Sequence, residues 1–422
     1  MPLFVGEKKL DKVSQVLDMP EIVQSAKALC SQLSSPLWRD SAELRVLYVH
    51  QRETITAIPA KCDILGSADA TTCVIVILRS LLTGKSACAH FDGDGEQLRG
   101  AAGSLARMLS GFDAKEKAGV IEVHMVGGLD IPSKDDTDSQ EPFAFQLLSV
   151  LAATPQTDKY QLRHCCVGAL NKRQTSSSSP VAATAPVAAS EATPTSVGSA
   201  CADFTADNPA VIPEDAQNAD PAAGGEQQSP AADAFTATVS GKSKKKKKAK
   251  KPTPIAARPQ DNKAGVPEET KKGLELKMEP GKPYPSLTSL FINLSSGDLI
   301  ARAEFAPSLR GPDLPLRSVR SFMGDHHLET IYNSATDMIT LGPYEYQTFP
   351  SRRVDVYLSL PDATLLANLS TSPWCEPPMF LPDMKATLSF MKEYPDCTAF
   401  FKNRSRKYKR SEAVPNQWIR AV

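Results

Sequence analysis

The sequence predicts an α+β protein. Mixed β-sheets with packed helices would form one domain from residues 1–171 and 283–422, split by a long disordered insertion at 172–282. Three observations predict it. Short β-type runs recur through the first flank at Arg45–His50, Cys73–Leu78, Ala87–Phe91, Val120–Val126 and Leu162–Leu170. Helical spacing punctuates them. Neither flank alone carries the boundaries of a complete fold, whereas the middle cannot support a core: it has twelve prolines, long Ala/Ser/Thr/Asp tracts and two aromatics, Phe204 and Phe235. Such a segment buries too little apolar surface to offset its ordering entropy.

Taken in order, residues 20–34 place Ile22, Val23, Ala26, Leu29, Cys30 and Leu33 at helical spacing, with Pro20 in the first turn where its missing N–H is harmless. A second helix is expected near Phe143–Ala152. After the insertion, Ser286–Leu294 and Asp298–Phe305 flank Ser295-Ser296-Gly297 as a β-hairpin. A helix over Leu314–Phe322 leads to strands at Thr330–Asn333, Asp337–Leu341 and Arg353–Leu360. Helical patterns in Asp362–Asn368 and Pro382–Met391 precede a basic tail.

Composition narrows the function classes. Lys plus Arg and Asp plus Glu both number 48, so no overall bias favours nucleic acid or membrane. Nine cysteines at irregular spacing give neither a disulfide framework nor a paired CxxC metal pattern, as reduced thiols would. No stretch reaches the roughly 18 apolar residues of a membrane span, and the N-terminus has no signal-peptide pattern. A soluble cytoplasmic protein is expected, with nuclear entry open, as a monomer needing no metal or organic cofactor. Nucleic acid is an unexpected partner, although the eight lysines of Lys242–Lys251 could contact anionic partners.

The chemistry centres on Cys73, at the head of an apolar run and after a polar turn, with His90 seventeen residues on. Strand, loop and strand would make the two neighbours. Cysteine attacks as its thiolate, and an adjacent imidazole is the usual means of supplying one near neutral pH. A buried structural cysteine and a satisfied histidine are the plainer reading of the same residues. His124 is the alternative base. Asp92 and Asp69 could orient the imidazole, Gly127-Gly128 would let a backbone approach the substrate or make a tight turn, and Pro373–Pro378 is a rigid loop that could line an entrance.

Three unconnected segments settle the reading toward an enzyme: Leu65-Gly66-Ser67-Ala68-Asp69-Ala70-Thr71-Thr72-Cys73, Val123-His124-Met125-Val126-Gly127-Gly128, and Asn368-Leu369-Ser370-Thr371-Ser372-Pro373 followed by Glu376-Pro377-Pro378. Together they resemble the eukaryotic protein N-terminal asparagine amidohydrolases and, distantly, the bacterial chemoreceptor glutamine deamidases. The resemblance implies a Cys73 nucleophile, a His90 base, and Ser67 at a hydroxyl position that assists the imidazole. It implies hydrolysis of the side-chain amide of N-terminal Asn through a thioester, with release of ammonia, feeding the N-degron route of ubiquitin-dependent protein catabolism. Partners would be proteins with a free N-terminal Asn. An acceptor for their α-ammonium is then required, and Asp69, Asp92 and Glu122 are the candidates. The rivals are another thiol amidase, such as a glutamine deamidase, and a non-catalytic interaction protein that binds through the lysine-rich insertion.

Overall fold

The computed structural model describes residues 3–33, 43–92, 95–129, 142–153, 159–173, 282–303, 307–322, 327–344, 351–396, 400–402 and 404–421. Both flanks belong to one compact unit, Met1–Ser177 with Lys272–Val422. The expected insertion, apart from 172–173 and 282, lies outside the described residues, and the lysine run 242–251 with it. Its two ends meet: Arg173 N–H donates to Tyr284 O at 2.8 Å, and buried Asn171 both accepts from Leu287 N–H and donates to Leu287 O at 2.8 Å.

In chain order the first flank holds β1 (Leu3–Val5), β2 (Lys8–Lys9), α1 (Pro20–Ser31), β3 (Val46–Tyr48), β4 (Glu53–Ala57), β5 (Ile64–Ser67), β6 (Val74–Ser80), β7 (Ser86–Phe91), α2 (Gly95–Ser110), α3 (Ala114–Ala118), β8 (Val120–Gly127), α4 (Phe143–Ala153) and β9 (Lys159–Val167). The second holds β10 (Leu290–Asn293), β11 (Leu299–Ile300), α5 (Leu314–Phe322), β12 (Glu329–Thr330), β13 (Tyr332–Asn333), β14 (Met338–Leu341), α6 (Ser351–Ser359), α7 (Asp362–Leu369), α8 (Phe380–Glu393), β15 (Arg406–Arg410) and β16 (Trp418–Ala421).

Three sheets result, in the orders β12-β4-β7-β6-β8-β9-β1-β2, β11-β10-β5-β3 and β13-β14-β15-β16. Strand periodicity sorts the central sheet's side chains onto two faces. Val74, Val76, Leu78, Ala89 and Phe91 pack under Leu105, Met108 and Leu109 of α2 and Leu147, Leu148 and Leu151 of α4. Ile75, Ile77, Cys88 and Val126 face the other way, onto Leu47, Leu65, Leu290 and Ile292 of the second sheet. The layers are therefore helix, sheet and sheet, and both flanks contribute to the inner core. No helix among the described residues is long and apolar enough to cross a membrane.

Most expected elements form, and one does not: Arg353–Leu360 is helical, inside α6 rather than a strand. Val354, Val356 and Leu358 alternate as a strand would, but Val354 is fully buried while Val356 is 59% exposed. The apolar contacts come from Val354, Tyr357 and Leu358, which is the i, i+3, i+4 spacing of a helix face. The basic tail also forms two strands, β15 and β16.

Candidate active site

Ser67 and Cys73 lie on facing sheets because the five residues between them cross from one sheet to the other. β5 is an inner strand of the second sheet, parallel to β3 and antiparallel to β10, with Ser67 opposite Leu290. Its Gly66 is required by that pairing: a Cβ there would stand 2.3 Å from Leu290 O. The chain then turns at Asp69, whose φ is +65°, and enters β6 immediately after Cys73.

The head of β6 is held by backbone. Gly128 N–H donates to Cys73 O at 2.7 Å and Leu129 N–H to Thr71 O at 3.0 Å. Gly127 has a φ of +113°, and a Cβ on it would come within 2.1 Å of Cys73 O. The close approach at Gly127 is therefore to the Cys73 carbonyl within the protein's own backbone.

β7 runs antiparallel beside β6 with Ile75 opposite His90. Continuing that register sets Cys73 across from Asp92 and diagonal to His90, all on the face that meets the second sheet. His90 is 3% exposed, and its Nδ1 lies 2.7 Å from Ser67 Oγ. Ser67 Oγ spends its own proton on Val49 O at 2.6 Å. Its oxygen must then accept from Nδ1–H, which assigns the tautomer and leaves the Nε2 lone pair as the free base site. Nε2 is sealed from solvent and has no hydrogen-bond partner among the described residues.

Electrostatics set the resting protonation. Burial, then His50, depress the His90 pKa to about 3, with Glu53 opposing. Burial first, then the charges of Asp92 and Glu376, push the Cys73 thiol up against the opposing pull of Arg52. The resting site is thus a neutral thiol beside a neutral imidazole, and proton transfer must accompany attack.

The same burial predicts an acid-sensitive fold. His50, His90 and His124 all sit below their ordinary value, burial being the largest cause for each. Unfolded, each takes up a proton below about pH 6.5. Their contribution to stability is fully present above that pH and is lost as pH falls toward the folded values, by up to about 1.4 kcal/mol per pH unit for each. Urea midpoints measured at pH 7.5 and 5.5 should fall on acidification; a flat profile would contradict the assignment of buried neutral imidazoles.

The candidate carboxylates separate. Asp92 is ion-paired with Arg52, both side chains nearly sealed. Asp69 pairs with Arg310 at 3.1 Å, and Arg310 also holds Asp383 at 2.5 Å. Glu122 is not brought to this cluster: β8 sets it opposite Arg79, five rows from the Val74–Gly127 pair, and it binds Arg163 at 2.8 Å and Arg79 at 3.4 Å. His124 stands opposite Ile77, with Nδ1 2.9 Å from His164 Nδ1, so it does not compete with His90.

A further acidic residue, in the third motif, also stands at the site. Glu376 is 8% exposed and raises the Cys73 pKa directly. Its segment is tied to the nucleophile's own approach, Ser372 Oγ lying 3.2 Å from Thr71 Oγ1 and Thr371 Oγ1 3.4 Å from Thr72 Oγ1. The loop after Asn368 therefore does border the site. Among the described residues no group of three or more His, Cys, Asp and Glu could hold a metal ion.

Comparison with known proteins supplies the family. The family model described as protein N-terminal asparagine amidohydrolase matches residues 38–210 and 273–420. Proteins of that name from Homo sapiens and Sus scrofa are each 25% identical over 98% of this chain and 96% of their own length. One from Arabidopsis thaliana is 33% identical over 28% of this chain and 34% of its own. With a family match that spans both flanks and contains every residue of the site, the chain belongs to the protein N-terminal asparagine amidohydrolases, a family of hydrolases.

Proposed function

We propose that the protein hydrolyses the side-chain amide of an N-terminal asparagine to aspartate through a Cys73 thioester. The observation that carries this reading is the Ser67–His90 contact at 2.7 Å, which presents a bare Nε2 on the face that Cys73 shares. Nε2 takes the thiol proton as Sγ bonds to the carboxamide carbon. The proton passes to the leaving nitrogen, the C–N bond breaks, and ammonia departs. Water, deprotonated by the same Nε2, then attacks the thioester carbonyl; Sγ leaves and recovers its proton. The sum is amide plus water giving carboxylic acid plus ammonia. Ser67 is a positioning residue, since it reaches the reaction through the imidazole.

The substrates under this reading are proteins with a free N-terminal Asn, and the aspartate formed would expose them to arginylation and ubiquitin-dependent degradation in the cytoplasm. The test is the mass of a synthetic peptide with a free N-terminal Asn after incubation with the protein, beside an otherwise identical peptide starting with Gln. A gain of about one mass unit on the Asn peptide, the NH₂-to-OH exchange of acyl transfer through cysteine, is the expected result. Conversion of the Gln peptide alone would move the assignment to a glutamine deamidase.

A further inference from the structure

Asp92 and Glu376 act on the thiol and Asp69 lies on its approach; two of the three are held by arginines, Arg310 being shared between Asp69 and Asp383. Asp92 has Arg52 and Asp69 has Arg310. Glu376 has no cationic partner among the described residues. Its hydrogen bonds come from Ser370 and Ser372 hydroxyls, both onto Oε1, and Oε2 takes none. A carboxylate that is nine-tenths buried and met only by hydroxyls is costly unless a cation arrives from outside. Burial accordingly raises its pKa, and the charge of Asp69 adds to the effect.

The position of Glu376 specifies the cation. It acts electrostatically on Cys73 and is linked through Ser372 to Thr71, two residues before the nucleophile. In an N-terminal asparagine the α-ammonium is three bonds from the carbon that Cys73 must attack, so an acceptor for it has to stand beside the sulfur. Asp92 and Asp69 each already hold an arginine, whereas Glu376 holds none among the described residues.

We infer that Glu376 receives the α-ammonium of the substrate's N-terminal residue, so that the carboxylate beside the nucleophile's approach is paired with a cation only while substrate is bound. The inference rests on the amidohydrolase reading and adds a second consequence to it. The free amine is a recognition element and also a switch for the nucleophile, so a substrate lacking it loses turnover as well as binding. With no ammonium bound, the thiol stays protonated and unreactive toward chance electrophiles.

The test compares kcat/KM for an N-terminal Asn peptide, its N-acetyl form and its des-amino form, with wild type and Glu376→Gln. Wild type should prefer the free amine by at least about a thousandfold, the scale on which a site built for a polar group rejects an analogue without it. In Glu376→Gln the free-to-acetylated ratio should fall by more than about tenfold, with the loss on the free peptide carried mainly in KM, because the variant no longer holds the ammonium while its thiol is already relieved of the opposing charge. A purely structural role would lower both peptides alike and leave the ratio in place, which would overturn the inference. A second readout is independent of turnover: alkylation of Cys73 by chloroacetamide at pH 8, read by peptide mass, should be several-fold faster in Glu376→Gln than in wild type. Equal or slower alkylation counts against it. Should Glu376→Gln fail to fold, wild type decides alone, because equal turnover of free, acetylated and des-amino peptides excludes an ammonium acceptor at the site. If wild type converts no Asn peptide, the amidohydrolase reading has failed, and the alkylation comparison still reports whether Glu376 governs the thiol.

Discussion

Cys73→Ala is expected to abolish the conversion of N-terminal Asn peptides, lowering kcat by about 10⁴-fold or more, the scale seen when a covalent nucleophile is removed. The residue's surroundings explain why nothing substitutes for it. Among the described residues six other cysteines are free thiols. Cys62, Cys88, Cys165 and Cys166 are buried, while Cys30 and Cys375 are half-buried. Cys88 is on the same face of β7 as His90 but two residues down the strand, with burial holding its thiol well above the ordinary value. The fold itself should be little affected. The backbone contacts that hold position 73 run through its carbonyl, which accepts from Gly128, and Cys73 is only partly buried against the inner core. Equal urea midpoints with activity lost are the expected pair of results; retained conversion would remove the thioester mechanism.

Arg317→Met should have the largest effect on stability, about 3–5 kcal/mol. Arg317 and Glu53 are both fully buried, joined by Arg317 Nε to Glu53 Oε1 at 2.8 Å and Nη2 to Oε2 at 2.5 Å. The same guanidinium also donates to Arg310 O and, at 2.9 Å, to Tyr48 O. Removing it leaves a buried carboxylate without its cation and takes a donor from two carbonyls. Glu53 also accepts from His50 N–H at 2.9 Å, so the loss spreads to the turn between β3 and β4. A fall in Tm on the order of 10 °C is expected. The double variant Glu53→Leu with Arg317→Met should recover part of it, because an apolar pair leaves no uncompensated charge. If the double variant is less stable than either single one by the full sum, the pair was not acting as a unit.

How much of this was legible in the sequence varies with the physics that sets each feature. The strand Val74–Ser80 shows as a continuous apolar run through Leu78 because both of its faces are covered, and Val120–Gly127 shows through its β-branched residues although Glu122 and His124 interrupt it. The helix Leu314–Phe322 was read to the residue. By contrast α2 passed unnoticed, as did β4, whose buried Glu53 and Thr54 resemble a polar turn until Arg317 and the Cys88 carbonyl are brought to them from elsewhere in the chain. The site shows the same division. That Cys73, His90 and Ser67 come together is legible in the motifs that carry them, while the charges around them are assigned by partners far away in sequence. Glu122 looks as available as Asp92 in one dimension. Only the register, which ties it to Arg79 and Arg163, separates the two, and only the absence of a comparable partner makes Glu376 stand out.

The pairing of Ser67 with Leu290 has a consequence for synthesis on the ribosome. These positions are roughly 220 residues apart, so at about 5–20 residues per second β5 waits on the order of ten to forty-five seconds for its neighbour. Throughout that interval one margin of the nascent second sheet offers unpaired amides and carbonyls, the template on which chains associate wrongly. A nascent chain halted within the intervening segment would carry the nucleophile and its base while lacking the strand that completes the wall behind them. Ribosomal stalling there should therefore yield material that aggregates before it can react.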